Sequence, residues 1–297
     1  MRWRPSSRNQ VEDRRGAGGG LGGVSMGGLG GGGFPIPMGR GGLSLGGIVL
    51  VIIIYVVIQL LSGSGAPTPQ GGVTGSLDPN DDIGIFINAV TVDIQDFWEG
   101  EFQAAGKQYP ATVTVLFTSQ TQTGCGVASS ATGPFYCPVD EKVFLDQSFF
   151  QELADRFGAP GDFAQAYVIA HEYGHRVQDV LGIMDSVQSQ QQSSPSKAND
   201  LSIRLELQAD CLAGVWAHSI ATDPDESEVE SITEADVKEA LTAAAAVGDD
   251  RIQEQATGTI DKESWTHGSA DQRTKWFNTG FKVGTTDSCD TFAVATP

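Results

Sequence analysis

The chain has 297 residues, with 37 acidic and 18 basic side chains and a formal net charge of −19. A protein this acidic repels a phosphate backbone and is excluded as a nucleic-acid binder. Its length allows one large domain or two smaller ones, but the composition is too uneven for the whole chain to fold as one unit.

Residues 1–42 carry six arginines (Arg2, Arg4, Arg8, Arg14, Arg15 and Arg40) against two acidic side chains, and their second half is dominated by glycine. Such a stretch cannot bury enough side chain to offset its backbone entropy, which predicts a disordered arm over 1–42. Residues 43–61, LSLGGIVLVIIIYVVIQLL, are almost wholly apolar and carry no charge. As a helix they would span about 28 Å, close to the hydrocarbon thickness of a bilayer. The run lies far from the start and no small-residue cleavage pattern follows it, so a retained transmembrane helix is expected rather than a cleaved signal. The arginines precede the span, and the first basic residue after it is Lys107. That asymmetry predicts a cytoplasmic N-terminus and an extracytoplasmic domain in the cell membrane. Residues 62–76 read as a flexible tether, leaving 77–297 as the folding unit.

Within that unit, Phe86, Val90, Ile94, Phe97 and Trp98 predict a helix over 82–105. The β-branched run 112–119 and the short KVFLD at 142–146 predict two strands, either of which offers a backbone to an extended substrate. Between them, 120–141 reads as irregular. Helices follow over 147–157 and 162–182, then a polar loop at 187–200 and an apolar helix over 201–220. Two further helices are signalled by caps at Thr233/Asp236 and Ser269/Gln272. The pattern is α+β, mostly helical, with a small sheet. Four cysteines suit an oxidising compartment. Cys125 with Cys137 closes the shorter loop, which leaves Cys211 with Cys289.

The chemistry concentrates in AHEYGHRVQDV, residues 170–180. His171 and His175 lie four apart on one helical face and can bind one cation, while Glu172, on the adjoining face, can hold a water that the metal polarises. The stripe Phe163, Tyr167, Ala170, Gly174, Val177 and Leu181 buries this helix, so the imidazoles and carboxylate need partners. Gly174 within it admits a neighbouring backbone. Downstream, Glu206 and Asp210 are four apart on an otherwise apolar helix. Two carboxylates at that spacing make sense when a cation or an imidazole N–H faces each, which makes Glu206 the third ligand and Asp210 the acceptor that orients a ligand histidine. His218 has no partner motif and reads as structural.

HEYGH followed by ELQAD resembles the gluzincin class of zinc peptidases. Together with GCGVAS, GPFYCP, VFLD, RLELQADCLAGVWA and THGSADQR, it is similar to the bacterial putative neutral zinc metallopeptidase family across 77–297. The resemblance implies a zincin-like domain, a single Zn2+, a peptide or protein substrate and Glu172 as general base. It also implies His267, in WTHGSADQR, as a donor to the developing oxyanion. Two other functions remain open from sequence: a catalytically silent scaffold that keeps the fold, and a zinc amidase acting on cell-wall peptides.

Overall fold

The computed structural model describes residues 1–15, 77–223 and 228–297. The glycine-rich stretch from 16, the apolar segment 43–61 and the tether 62–76 lie outside the described residues. Among the described residues, no helix is long and apolar enough to cross a membrane.

Eight α-helices are found there: α1 (Asp82–Ala104), α2 (Ser148–Asp155), α3 (Asp162–Val180), α4 (Ile183–Ser193), α5 (Ala198–Thr222), α6 (Glu234–Ala246), α7 (Asp249–Thr257) and α8 (Ala270–Val283). The Asp81 side chain caps α1 by accepting the Gly84 N–H at 3.1 Å. Capping boxes at Thr233/Asp236 and Ser269/Gln272 start α6 and α8, so orphan amides at three helix starts are satisfied by short polar side chains. α3 runs through the interior: its residues 166–178 are all buried. It crosses α5 at Gly174, where an added Cβ would stand 3.0 Å from the Ala209 carbonyl oxygen. α5 and α8 approach as closely at Gly280, where a Cβ would meet the Cys211 carbonyl oxygen at 2.0 Å. Glycine at these crossings lets backbones touch, which brings side chains from three helices within reach of one another.

The strands are β1 (Arg2–Trp3), β2 (Val11–Asp13), β3 (Thr114–Phe117), β4 (Gln120–Thr123), β5 (Gly126–Ser129), β6 (Phe135–Cys137), β7 (Lys142–Asp146) and β8 (Val229–Ser231). Four of them form one sheet in the order β2-β3-β7-β6, with β2, β3 and β7 parallel and β6 antiparallel to β7. β4 and β5 make a hairpin, and β1 pairs with β8. The disulfides are Cys125–Cys137, which ties that hairpin to β6, and Cys211–Cys289, which ties α5 to the C-terminal segment.

Four sequence expectations need correction. The first fifteen residues are not a disordered arm, because β1 and β2 are built into the fold. The segment 120–141 holds β4, β5 and β6, whose Ser, Thr and Gly content hides pairing supplied by the partner strand. The polar loop at 187–200 is largely helix: α4 buries only Val187, and α5 begins at Ala198. Finally, β3 and β7 are interior strands, so neither offers a free edge. The edges of the sheet are β2 and β6.

β2 is held by more than its register with β3. The Asn88 side chain accepts the Gln10 N–H and donates to the Arg8 carbonyl, each at 2.8 Å. Asn88→Ala removes the partner of both groups, which lie just before β2 in partly buried surroundings. It should destabilise the full chain by about 1–3 kcal/mol in urea unfolding; a change below about 0.5 kcal/mol, typical of a bare surface site, would mean that the strand is not docked.

Candidate metal centre

His171 and His175 project from successive turns of α3 and are both buried, with ring centroids 4.8 Å apart. α5 crosses above them and presents Glu206. The Nε2 of His171 lies 3.2 Å from Glu206 Oε2, and the Nε2 of His175 lies 3.6 Å from Glu206 Oε1. One donor atom from each of the three side chains falls within 4.8 Å of the others. In a tetrahedral zinc site with bonds near 2.0–2.1 Å, neighbouring donor atoms are about 3.3 Å apart. The two imidazole–carboxylate separations bracket that value, and two imidazoles with a carboxylate are a donor set zinc takes.

Both imidazoles turn their other nitrogen to a fixed acceptor, as a ligand held through Nε2 requires. For His171 it is Asp210, whose Oδ1 is 2.8 Å from Nδ1. Asp210 is fully buried and also accepts from the Tyr167 hydroxyl (2.6 Å) and from Arg273 Nε and Nη2 (2.9 Å each). For His175 it is the Gln178 amide oxygen at 2.8 Å. The Gln178 amide nitrogen donates in turn to the Leu205 carbonyl (2.7 Å) and to Gln208 (3.1 Å), both on α5.

The electrostatics ask for positive charge at this point. Burial alone would lower the pKa of His171, but Asp210 and Glu206 outweigh it and push it up to about 10. His175 is raised against its burial by Glu206. Burial works to raise the two carboxylates, yet Glu206 is held well below its usual range by His175 and His267, and Asp210 at about 2 by Arg273 and His171. A cation placed among these groups would satisfy what the imidazoles otherwise satisfy by taking protons.

Glu172 is buried on the adjoining face of α3, and its Oε2 accepts the backbone N–H of Tyr136 at 2.9 Å. Tyr136 belongs to β6, the edge strand at this end of the sheet. Its hydroxyl is bound by α3 as well, donating to Asp179 (2.7 Å) and accepting from Arg176 (3.0 Å). His267 precedes α8 and keeps part of its ring exposed. Its Nδ1 lies 3.2 Å from Asp249 Oδ1, and the other Asp249 oxygen accepts the N–H groups of Thr266, His267 and Gly268. Burial lowers its pKa, but Glu206 first and then Asp249 raise it, so the ring is close enough to feel the Glu206 charge. His218 lies apart, bonded to the Phe281 carbonyl at 2.7 Å.

Sequence reasoning placed Tyr167 only in the core stripe and had no part for Gln178 and Tyr136. Tyr167 lies four residues before His171 and Gln178 three after His175, so both fall on the ligand face and helical spacing could have drawn attention to them. Tyr136 contributes a backbone N–H, which no residue type announces.

The model of the family described as Putative neutral zinc metallopeptidase matches residues 1–292, and the chain belongs to that family. It is 45% identical to the uncharacterized protein YpfJ of Escherichia coli K12 over 297 residues, which cover 98% of this chain and 99% of the relative. It is 51% identical to the uncharacterized protein Rv2575 of Mycobacterium tuberculosis over 185 residues, 61% of this chain and 62% of that protein. No solved structure matches.

If the imidazoles are ligands, the groups behind them tune metal affinity. Gln178→Ala, which leaves the His175 Nδ1–H without its acceptor, should weaken zinc binding about 10- to 100-fold in competition with a chelator. Asp210→Asn should weaken it at least as much, with added loss of stability because Arg273 is left buried beside a neutral group. Wild-type affinity in both variants would remove the two imidazoles from the site.

Proposed function

We propose that the chain hydrolyses peptide bonds in a peptide or protein substrate, with one zinc ion held by His171, His175 and Glu206. The observation that carries this reading is the convergence of both Nε2 atoms and the Glu206 carboxylate on one point. The carboxylate of Glu172 stands one residue from the first ligand. Zinc held there supplies Lewis acidity towards a carbonyl oxygen and makes water easier to deprotonate. Glu172 then takes the proton of the attacking water and returns it to the departing amine. The Tyr136 N–H keeps one Glu172 oxygen occupied and so aims the other. His267, with its Nδ1 fixed on Asp249, has Nε2 to offer to the oxygen that gains charge as the carbonyl becomes tetrahedral. Asp210 and Gln178 hold the imidazoles in the tautomer that leaves Nε2 for the metal.

An extended substrate segment would lie along β6, the edge nearest Glu172. The two disulfides favour a compartment outside the cytoplasm. The apolar run 43–61 favours membrane association.

Elemental analysis of the purified full chain should find about one zinc per molecule, lost or sharply reduced in Glu206→Ala. Glu172→Gln should keep the zinc and lower hydrolysis of an unfolded protein about 10²- to 10⁴-fold, the usual worth of a general base. Folded, disulfide-bonded protein that takes up no zinc would sink the peptidase reading in favour of a silent scaffold. Cleavage of purified peptidoglycan without cleavage of the unfolded protein would reassign the enzyme to cell-wall peptides.

A further inference from the structure

Residues 1–15 and the domain from residue 77 onward make contacts of the kind found inside one folded unit. β2 pairs in parallel with β3 through Val11↔Thr114, Glu12↔Val115 and Asp13↔Leu116. Val11 and Glu12 are both buried, and Trp3 meets Phe86 edge-on at 5.3 Å. Arginines that sequence alone assigns to the cytoplasmic side of a membrane have folded partners instead. Arg2 reaches Glu230 at 3.3 Å. Arg8 binds Asp96 and lies 3.5 Å from Glu228. Arg14 binds Glu12 at 2.7 Å, and Arg15 binds Asp13 at 2.7 Å. Arg2 and Arg8 thus pair with carboxylates of the domain, Arg14 pairs within the segment and Arg15 does both, so these charges have folded partners and do not by themselves argue for an orientation across a bilayer.

The two ends of the stretch 16–76 are also neighbours. Arg15, the last described residue before 16–76, bonds the Asp81 carboxylate and the Gln147 side chain, and Asp81 lies four residues after the chain resumes. A segment that crosses a bilayer once must deliver its two flanks to opposite faces, about 30 Å of hydrocarbon apart. Flanks joined by one ion pair and by a strand ladder cannot be so separated.

We infer that residues 1–15 and residues 77–297 lie on the same side of any membrane that residues 43–61 enter, so that the N-terminus is a part of the metallopeptidase domain and not its counterpart across the bilayer. This corrects the orientation expected from the arginines, and it stands whether or not the domain is a peptidase. The partner that the edge of β3 and the acidic rim of Asp81, Asp96, Glu228 and Glu230 are shaped to take is the N-terminal segment of the same chain.

The test uses the full chain in bacterial spheroplasts. All four native cysteines are paired in the fold, and the wild-type chain labelled in parallel gives the background against which a single added cysteine is read. Ser7→Cys and Ser196→Cys place it at exposed positions, one in the N-terminal segment and one between α4 and α5. Each variant is treated with a membrane-impermeant maleimide before and after detergent. The inference expects both cysteines to behave alike, either both labelled in intact spheroplasts or both labelled only after detergent. The first outcome agrees with a domain outside the cytoplasm. The second keeps the inference and overturns the compartment proposed above. Labelling of one cysteine in intact spheroplasts with protection of the other would overturn the inference. Pro5→Cys, also exposed, repeats the N-terminal measurement at a second position and guards against a local effect at Ser7.

Discussion

The site depends on a carboxylate that no water reaches. Asp210 is fully buried at the crossing of α3, α5 and α8, and moving such an ion out of water costs several kcal/mol unless its lone pairs are filled. Here they are filled from three directions. His171 and Tyr167 approach from α3, and Arg273 brings two guanidinium nitrogens from α8. Each donor fixes the position of the helix that carries it, so the requirement to satisfy one charge sets the mutual placement of three helices. The glycines at 174 and 280 serve the same end, because the crossings must be close for short side chains to span them. A metal centre made of side chains from different helices would need this kind of rigidity, and here the packing and the placement of the candidate ligands have a common cause.

Much of the centre was legible in the sequence because helical spacing converts directly into geometry. Two histidines four apart must share a face, and two carboxylates four apart on an apolar helix must find partners. Those facts assemble His171, His175, Glu206 and Asp210 without coordinates. What stayed hidden belongs to contacts that local sequence does not encode. Residues 11–13, Val-Glu-Asp, hold one apolar side chain beside a long glycine-rich run, and only the open edge of β3 makes them a strand. Tyr136 supplies Glu172 through a backbone amide, and that amide is free because β6 is an edge strand. The helix α4, rich in Gln and Ser, reads as a loop because one buried valine leaves almost no periodicity to detect.

The N-terminal segment shows how one charge pattern can have two physical causes. Six arginines ahead of an apolar run satisfy the rule for a cytoplasmic flank. The same arginines face a domain with a large excess of acid, and in the fold four of them meet its carboxylates or those of β2 itself. Surface ion pairs are individually weak. Their role here is to neutralise the rim around β2, while the strand ladder, Val11 and the Asn88 clamp hold it in place.

The two histidines of the candidate site are supported unequally. Asp210 gives His171 a charged acceptor, itself balanced by Arg273, whereas Gln178 gives His175 a neutral one. A carboxylate behind an imidazole makes it a more basic ligand and so a stronger electron donor to the metal, while an amide orients the ring with little such effect. With Glu206 as an anionic third ligand, a second carboxylate behind His175 would add further negative charge and blunt the Lewis acidity that carbonyl polarisation requires. The neutral amide avoids that cost and still fixes the ring, because Gln178 is itself held by Leu205 and Gln208, and Gln208 donates to the carbonyl of Cys289 at 3.0 Å. Cys289 is bridged to Cys211, the residue after Asp210. The proposed metal ligand Glu206, the anchor Asp210 and the brace behind Gln178 therefore all belong to α5, and the disulfide locks that helix to the C-terminal segment at the height of the site.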